Sequence, residues 1–161
     1  MSNYSPDRLK EAAEMLEKMG TRCLLHQHRY SMLARENKTL LPVIEEKQMG
    51  AIAFCPLEQG LLTDKYINGV PKDSRAAGNS VFLKADSITP EYVEKVKKLN
   101  EMTKDRGQSL AQMALAYALK DGKLTSVILG ASRFSQIEEN LKALNNLDFT
   151  EEEMAAIEKI L

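Results

Sequence analysis

Residues 50–56 read Gly-Ala-Ile-Ala-Phe-Cys-Pro, a short apolar run that follows a glycine and stops at a proline. Its length is typical of a β-strand, and we assign residues 51–55 to one. The run is apolar throughout instead of alternating with polar residues. It therefore predicts a strand covered on both faces, as in a parallel sheet flanked by helices.

Two more runs of this kind, at residues 22–27 and 125–129, predict two further strands. Helices are indicated around them: one from Ser5-Pro6-Asp7 to Gly20, one through residues 40–49 that Gly50 ends, and one from Thr89-Pro90 to Gly107. Capping boxes predict three more, at Ser109, Ser135 and Thr150. The order αβαβ, a long loop, then ααβαα, is that of an α/β fold with parallel strands.

The composition excludes several classes of function. The 161 residues carry a net charge of −1, which gives no basic surface for nucleic acid or for an acidic membrane. No apolar run approaches the roughly 20 residues that span a bilayer, and the first residues have no features of a secretory signal. Cys23 and Cys55 have neither metal-site nor disulfide spacing. We expect reduced thiols and a cytoplasmic protein.

One segment has no helical or strand periodicity. Residues 60–88 contain Gly69, Pro71 and Gly78 among several Ser, Asp and Asn. A loop of this length inside a compact domain is usually a lid or a binding loop.

Two short motifs could carry chemistry. Gly130-Ala131-Ser132-Arg133 lies between a strand and a helix, where free backbone N–H groups and the positive helix end favour a phosphate. It lacks the GxGxxG pattern, so a plain turn is the competing interpretation. His26 and His28 lie on one strand face, but without a third ligand nearby they indicate packing or hydrogen bonding in preference to a metal.

Several segments, taken together in chain order, resemble the aldo-keto reductase family. They are Ser2-Asn3-Tyr4-Ser5, His26-Gln27-x-x-Tyr30-Ser31, the run from Phe54-Cys55-Pro56-Leu57-x-Gln59 to Lys65-Tyr66, Ser74-Arg75, Ser109-Leu110-Ala111-Gln112, and Gly130-Ala131-Ser132-Arg133 with Gln136. The most similar branch holds bacterial reductases related to potassium-channel β-subunits, including glyceraldehyde-3-phosphate-type reductases. The resemblance implies that residues 1–161 form a single domain, the C-terminal half of a (β/α)8 barrel.

The resemblance also implies a site for NADP. Ser2, Asn3 and Gln27 would hydrogen-bond the nicotinamide carboxamide, and Phe54 would stack on the nicotinamide ring. The pyrophosphate and adenine would be covered by Cys55, Pro56, Leu57, Gln59, Lys65 and Arg75. The adenosine end with its 2′-phosphate would be held by Gly130, Ser132, Arg133, Gln136, Glu139 and Asn140. Glu58 and Asp64 depart from the family pattern, and as solvated carboxylates each would oppose pyrophosphate binding by about 0.3–1 kcal/mol.

Carbonyl reduction also needs a proton for the developing alkoxide. In the family, a Tyr assisted by Lys, Asp and His of the first half of the barrel supplies it, and no segment here resembles those positions. We therefore expect the NADP(H)-binding half of an NADPH-dependent carbonyl oxidoreductase, inactive alone. The alternatives are a non-catalytic half-barrel that binds a nucleotide or a partner chain, and a structural remnant without a ligand. Open strand edges predict a homo-oligomer, most simply a two-fold dimer, or pairing with a complementary N-terminal half-barrel.

Overall fold

A parallel sheet of three strands forms the centre of the chain, which a computed structural model describes over residues 1–161. The strands are β1 (Leu25–Arg29), β2 (Gly50–Phe54) and β3 (Ser126–Ile128). The helices are α1 (Pro6–Lys18), α2 (Leu41–Glu46), α3 (Pro90–Arg106), α4 (Leu110–Leu119), α5 (Phe134–Leu141) and α6 (Glu151–Ile160). None of these helices is both long and apolar enough to span a bilayer.

The strands pair in the order β1-β2-β3, and both pairings are parallel. Arg29 lies opposite Phe54, which in turn lies opposite Ile128, so all three strands end at the same edge of the sheet. Helix α2 connects the first two strands, and α3 and α4 connect the last two. This arrangement confirms the predicted α/β class and parallel pairing, and it is consistent with part of a (β/α)8 barrel.

The first residues occupy the outer edge of β1. Ser2 forms a parallel bridge with Gln27, the amide of Asn3 donates to the Gln27 carbonyl at 2.9 Å, and the Gln27 amide donates to the Met1 carbonyl at 2.8 Å. The sequence pattern predicts no strand ahead of the first helix. Three residues are too short for a periodicity signal, yet they satisfy part of the β1 edge.

Several predicted boundaries are wrong. Strand β1 was expected at residues 22–27 but lies at Leu25–Arg29, because its polar end carries two buried histidines that an apolar pattern excludes. The helix through residues 40–49 was expected to end at Gly50. Helix α2 instead ends at Glu46, and Gly50 opens β2, where a Cβ would lie 2.5 Å from a methyl carbon of Leu25. The glycine leaves room for the Leu25 side chain, which is 42% exposed and could move aside for a larger residue.

Helices pack against one face of the sheet and leave the other face open. Ala51 and Ala53 of β2 and His26 and His28 of β1 are buried beneath the helices. This face belongs to a core of 19 residues that also draws on α1, α3, α4 and α6. The opposite face carries Leu25, Gln27, Arg29, Ile52, Phe54, Ser126 and Ile128, none of which is buried. The prediction of strands covered on both faces is therefore wrong, since cover is supplied on one face only.

The long loop of residues 60–88 has a small core of its own. Three turns of 3-10 helix, Asp64–Tyr66, Arg75–Ala77 and Ala85–Ser87, replace longer elements. They pack around Tyr66 and Leu83, each no more than 2% exposed. The hydroxyl of Tyr92 in α3 donates to the carbonyl of Leu61 and ties the start of the loop to the helix layer.

Candidate functional site

The residues assigned to a cofactor cluster at the edge where the three strands end. Gln27 and Phe54 are on the open face of neighbouring strands, two register positions apart, and the turn after β3 begins beside them. Loops that follow parallel strands at their C-terminal ends are where α/β folds place their ligand sites. The open face and this edge together form the candidate site.

Ser2, Asn3 and Gln27 lie together, as the resemblance implies. The bridge between Ser2 and Gln27 fixes the backbone of both, while the Gln27 side chain remains half-buried on the open face. Asn3 has a φ of 57°, in the left-handed region that Asn tolerates better than most residues. The edge where the three strands end is called the mouth of the site from here on. The exposed polar side chains of Ser2 and Asn3 lie at this mouth, next to Gln27.

The backbone turns sharply after Phe54. Cys55, Glu58 and Gln59 have φ values of 54°, 46° and 60°, so this turn holds half of the six non-glycine residues with positive φ. Such conformations persist only where surrounding contacts hold them, and they are concentrated at functional sites. Here the side-chain Nε2 of Gln59 donates to Cys55 Sγ at 3.1 Å. Arg75 of the long loop donates to Gln59 Oε1, so the loop is fastened to the strand end.

The remaining residues of this segment divide into two groups. Pro56 is buried and Leu57 half-buried, and Leu57 packs against the core. Lys65 is exposed, and its side chain has no hydrogen bond to the other assigned residues. Of the six residues assigned to the pyrophosphate and adenine, the structure joins Cys55, Gln59 and Arg75 by direct side-chain contacts.

An ion pair at this edge was missed by the sequence analysis. Arg29, the last residue of β1, donates from Nε to Glu58 Oε1 at 3.3 Å and from Nη2 to Glu58 Oε2. Glu58 is only 5% exposed, so the expectation of a solvated carboxylate is wrong at this position. The available signal was a charged residue at the end of a buried strand, which indicates a partner nearby.

The turn between β3 and α5 differs from its prediction. The amides of Ser132 and Arg133 donate to Gln136 Oε1 at 2.8 and 3.3 Å, so these two N–H groups are not free for a ligand. The helix begins at Phe134, with Arg133 in the cap position. The capping box predicted at Ser135 is therefore wrong, because Gln136 takes the role expected of Glu138.

The other residues assigned to the adenosine end lie on or before α5. Gly130 is exposed, and Asn140 is half-buried. The carboxylate of Glu139 accepts a hydrogen bond at 3.2 Å from the side-chain Nε2 of Gln112 in α4 and lies 2.5 Å from Lys142 Nζ. Glu139 is therefore partly engaged in holding α5 on α4. Arg133 has no salt bridge, and its guanidinium is exposed at the mouth.

His26 and His28 are both fully buried, with their Nδ1 atoms 3.4 Å apart. Burial lowers the pKa of His26 to about 4, assisted by the neighbouring His28, and burial also lowers the pKa of His28. His26 Nε2 accepts a hydrogen bond from the Tyr4 amide at 3.4 Å. No third His, Cys, Asp or Glu is placed to complete a metal site with them. The pair lies on the covered face, away from the mouth.

Comparison with known proteins identifies the family of the chain. The model of the aldo/keto reductase family matches residues 1–161. L-glyceraldehyde 3-phosphate reductase of Escherichia coli K12 is 46% identical over 164 residues, which cover 99% of this chain and 47% of that protein. A putative voltage-gated potassium channel subunit beta of Schizosaccharomyces pombe is 36% identical over 84% of this chain and 41% of its own length. The chain spans about half the length of the curated relatives it matches.

Proposed function

The chain belongs to the aldo/keto reductase family, and from that premise we propose that it is the NADP(H)-binding half of an NADPH-dependent oxidoreductase acting on aldehydes or ketones. Members of the family use a nicotinamide cofactor. A cofactor of this kind supplies a hydride when bound, and the residues of this chain would hold and orient it.

One observation carries the proposal. Three segments separated in sequence, ending at Asn3, Phe54 and Ile128, reach the same edge of one parallel sheet, and the turn that contains Arg133 follows the last of them. Gln27 presents an amide and Phe54 an aromatic ring on the open face there. A nicotinamide carboxamide needs hydrogen-bonding partners and its ring needs an apolar surface, so these side chains fit that end of the cofactor.

The turn before α5 supports the choice of the phosphorylated cofactor. Arg133 is exposed and has no ion-pair partner, so its guanidinium is available for a phosphate. Gln136 already organises the backbone of this turn through Ser132 and Arg133. A 2′-phosphate would gain a charge-assisted contact here that the 2′-hydroxyl of NAD(H) lacks.

Titration calorimetry of the full chain tests this proposal. We expect weak binding of NADPH and of 2′-AMP, and weaker binding of NADH. Arg133→Ala should reduce NADPH affinity about tenfold, since a hydrogen bond to a charged group contributes about 1.5–3 kcal/mol. Arg22→Ala is the matched control because Arg22 lies before β1, at the opposite end of the sheet. Equal affinity for NADPH and NADH, or no binding at millimolar ligand, would contradict the proposal.

An activity assay tests the assignment of the chemistry. The resemblance places the proton donor in the first half of the family's barrel, so we expect this chain alone to leave NADPH unoxidised with glyceraldehyde or methylglyoxal. The measurement is NADPH absorbance with purified chain at increasing concentration. Turnover that persists through purification and disappears on mutation of a residue of this chain would show that the half-barrel carries its own acid.

A second candidate function, a half-barrel that associates without catalysis, is favoured by exposed apolar surface. The chain exposes 9821 Å², whereas size scaling gives about 8,100 Å² for a compact monomer of its mass. The difference of about 1,700 Å² exceeds the roughly 800 Å² that one partner buries in a standard interface. Part of this exposed surface is an apolar stripe on α5 and the following turn, formed by Phe134, Ile137, Leu141 and Leu144.

We propose a second copy of this chain as the occupant of that surface, because a two-fold dimer covers the same stripe on both subunits at once. Sedimentation at micromolar concentration should show a dimer. Leu144→Glu should weaken the dimer at least tenfold, while the neighbouring exposed position, Asn145→Glu, should not. A monomer that dimerises at no concentration would overturn this candidate. So would a monomer that instead binds a separately produced first half of a relative's barrel.

A further inference from the structure

The ion pair of Arg29 and Glu58 stands at the mouth of the candidate site. Arg29 is in register with Phe54 on the neighbouring strand, so both side chains leave the same, open face of the sheet. Glu58 belongs to the turn that follows β2 and is buried. None of the residues that the resemblance assigns to a ligand is part of this pair.

Glu58 fixes the direction of the Arg29 side chain. Its Oε1 accepts a second hydrogen bond, from Ser31 Oγ at 2.8 Å. Ser31 Oγ in turn accepts from the amides of Leu33 and Ala34 at 3.2 and 2.9 Å. A buried carboxylate needs such hydrogen-bond partners, and Glu58 has three of them, so the buried end of the pair is held in place. The Arg29 guanidinium is thereby held in one orientation.

The stereochemistry of the guanidinium leaves one edge free. Of its five N–H groups, Glu58 accepts from Nε and from one hydrogen of Nη2. Nη1 and the other hydrogen of Nη2 form a second planar edge, which has no partner in the protein. The Arg29 side chain is 48% exposed, so this edge faces solvent at the mouth. Two parallel donors in one plane match the oxygens of a phosphate.

We propose that Arg29 binds a phosphate group of the ligand at this mouth, with Glu58 acting as the residue that orients it. This inference rests on the proposed function and adds a ligand-binding residue to it. The phosphate could come from the diphosphate of the cofactor or from a phosphate ester on the carbonyl substrate. Glu58 binds only the Nε and Nη2 edge of Arg29, so the second edge of the guanidinium is available to the incoming anion.

Two substitutions of Arg29 distinguish a role in anion binding from a role in holding the turn after β2 through Glu58. Arg29→Gln removes the charge and both planar edges. Arg29→Lys keeps a cation for Glu58, and with it the turn after β2, but has no second planar edge. Arg22→Gln, at the far end of the sheet, is the matched control. Urea unfolding of each variant checks that the fold is retained.

The full chain is titrated with NADP⁺, 2′-AMP, inorganic pyrophosphate and glycerol 3-phosphate. If the cofactor diphosphate is the source, both Arg29 variants weaken NADP⁺ and pyrophosphate binding about tenfold and leave 2′-AMP unchanged. If a substrate phosphate is the source, they weaken glycerol 3-phosphate and leave NADP⁺ unchanged. Wild-type affinity of Arg29→Lys for NADP⁺, pyrophosphate and glycerol 3-phosphate alike overturns the inference.

If the chain does not bind the cofactor at all, the titrations give a different pattern. A chain that binds neither NADP⁺ nor 2′-AMP has no nucleotide site, but pyrophosphate and glycerol 3-phosphate still report on Arg29. Loss of their binding in both Arg29 variants then supports a phosphate site without a nucleotide. Failure of the wild-type chain to bind either small phosphate overturns the inference as well.

Discussion

Helices α4 and α5 are in contact but have different surroundings: α4 is apolar at nine of its ten positions, and α5 carries an apolar stripe at three of its eight. Eight of the ten residues of α4 are buried, whereas none of the eight residues of α5 is. Helix α4 is enclosed by the sheet and by α3, while α5 touches α4 and leaves its apolar stripe exposed. An apolar helix face therefore indicates that something packs against it. Residues of this chain pack against α4, but none of them buries the apolar face of α5.

The largest expected effect tests that difference directly with matched leucines. Leu115→Ala in α4 should lower the free energy of unfolding by about 3 kcal/mol, because it leaves a cavity in a closed core. Leu141→Ala in α5 should lower it by less than about 0.5 kcal/mol, since Leu141 is 59% exposed. Urea unfolding at two protein concentrations measures both. A Leu141 effect that grows with concentration would report association through α5, and equal effects in dilute solution would contradict the comparison.

The sequence predicted the fold class and the strand pairing well because both depend on local signals. Glycine and proline bound the run at residues 50–56, and caps such as Ser109 mark the helix starts. The exposed face of the sheet could not be predicted in this way. An apolar strand looks the same whether its second face is covered or open, and cover depends on which other elements are present.

The candidate site was predictable where it rests on backbone position and not where it rests on side-chain pairing. Gln27 and Phe54 lie at strand ends, and the parallel fold brings such ends together. The pairing of Arg29 with Glu58 joins residues on different elements, so a charged residue at a strand end indicates that it has a partner but does not identify Glu58 as that partner. The use of Gln136 as the cap of its own turn likewise depends on a helix start that the sequence placed two residues too late.

A second, smaller effect is the pH dependence of stability that arises from the covered face of β1. His26 and His28 face the covered side of β1, and burial lowers the pKa of His26 from 6.5 to about 4. Between those values the unfolded chain binds more protons than the folded one. The free energy of unfolding is therefore undiminished by His26 above about pH 6.5, and it falls as the pH is lowered toward 4. We expect a loss of about 2 kcal/mol from His26 between pH 7.5 and 5.0.

Urea unfolding at both pH values measures this loss, and His26→Gln should reduce it to the smaller share of His28. The chain has only these two histidines, so no other imidazole contributes. Carboxyl groups with lowered pKa values, such as Glu158, affect stability mainly below this range because their ordinary value is 4.5. A pH dependence unchanged in His26→Gln would mean that water reaches the covered face of β1.

The smallest effect concerns how α4 and α5 begin. Ser109 caps α4 by a reciprocal pair: its Oγ accepts from the Gln112 amide at 3.3 Å, and its own amide donates to Gln112 Oε1 at 2.9 Å. Ser135 has the same spacing to Glu138 in the sequence but lies inside the first turn of α5, where it caps nothing. Ser109→Ala should therefore lower the free energy of unfolding by about 1 kcal/mol, and Ser135→Ala by less than about 0.5 kcal/mol. Urea titrations of the two variants under identical conditions provide the measurement. Similar losses in both would mean that α5 begins at the position that the sequence predicted, and that Gln136 releases the amides of Ser132 and Arg133 for a ligand.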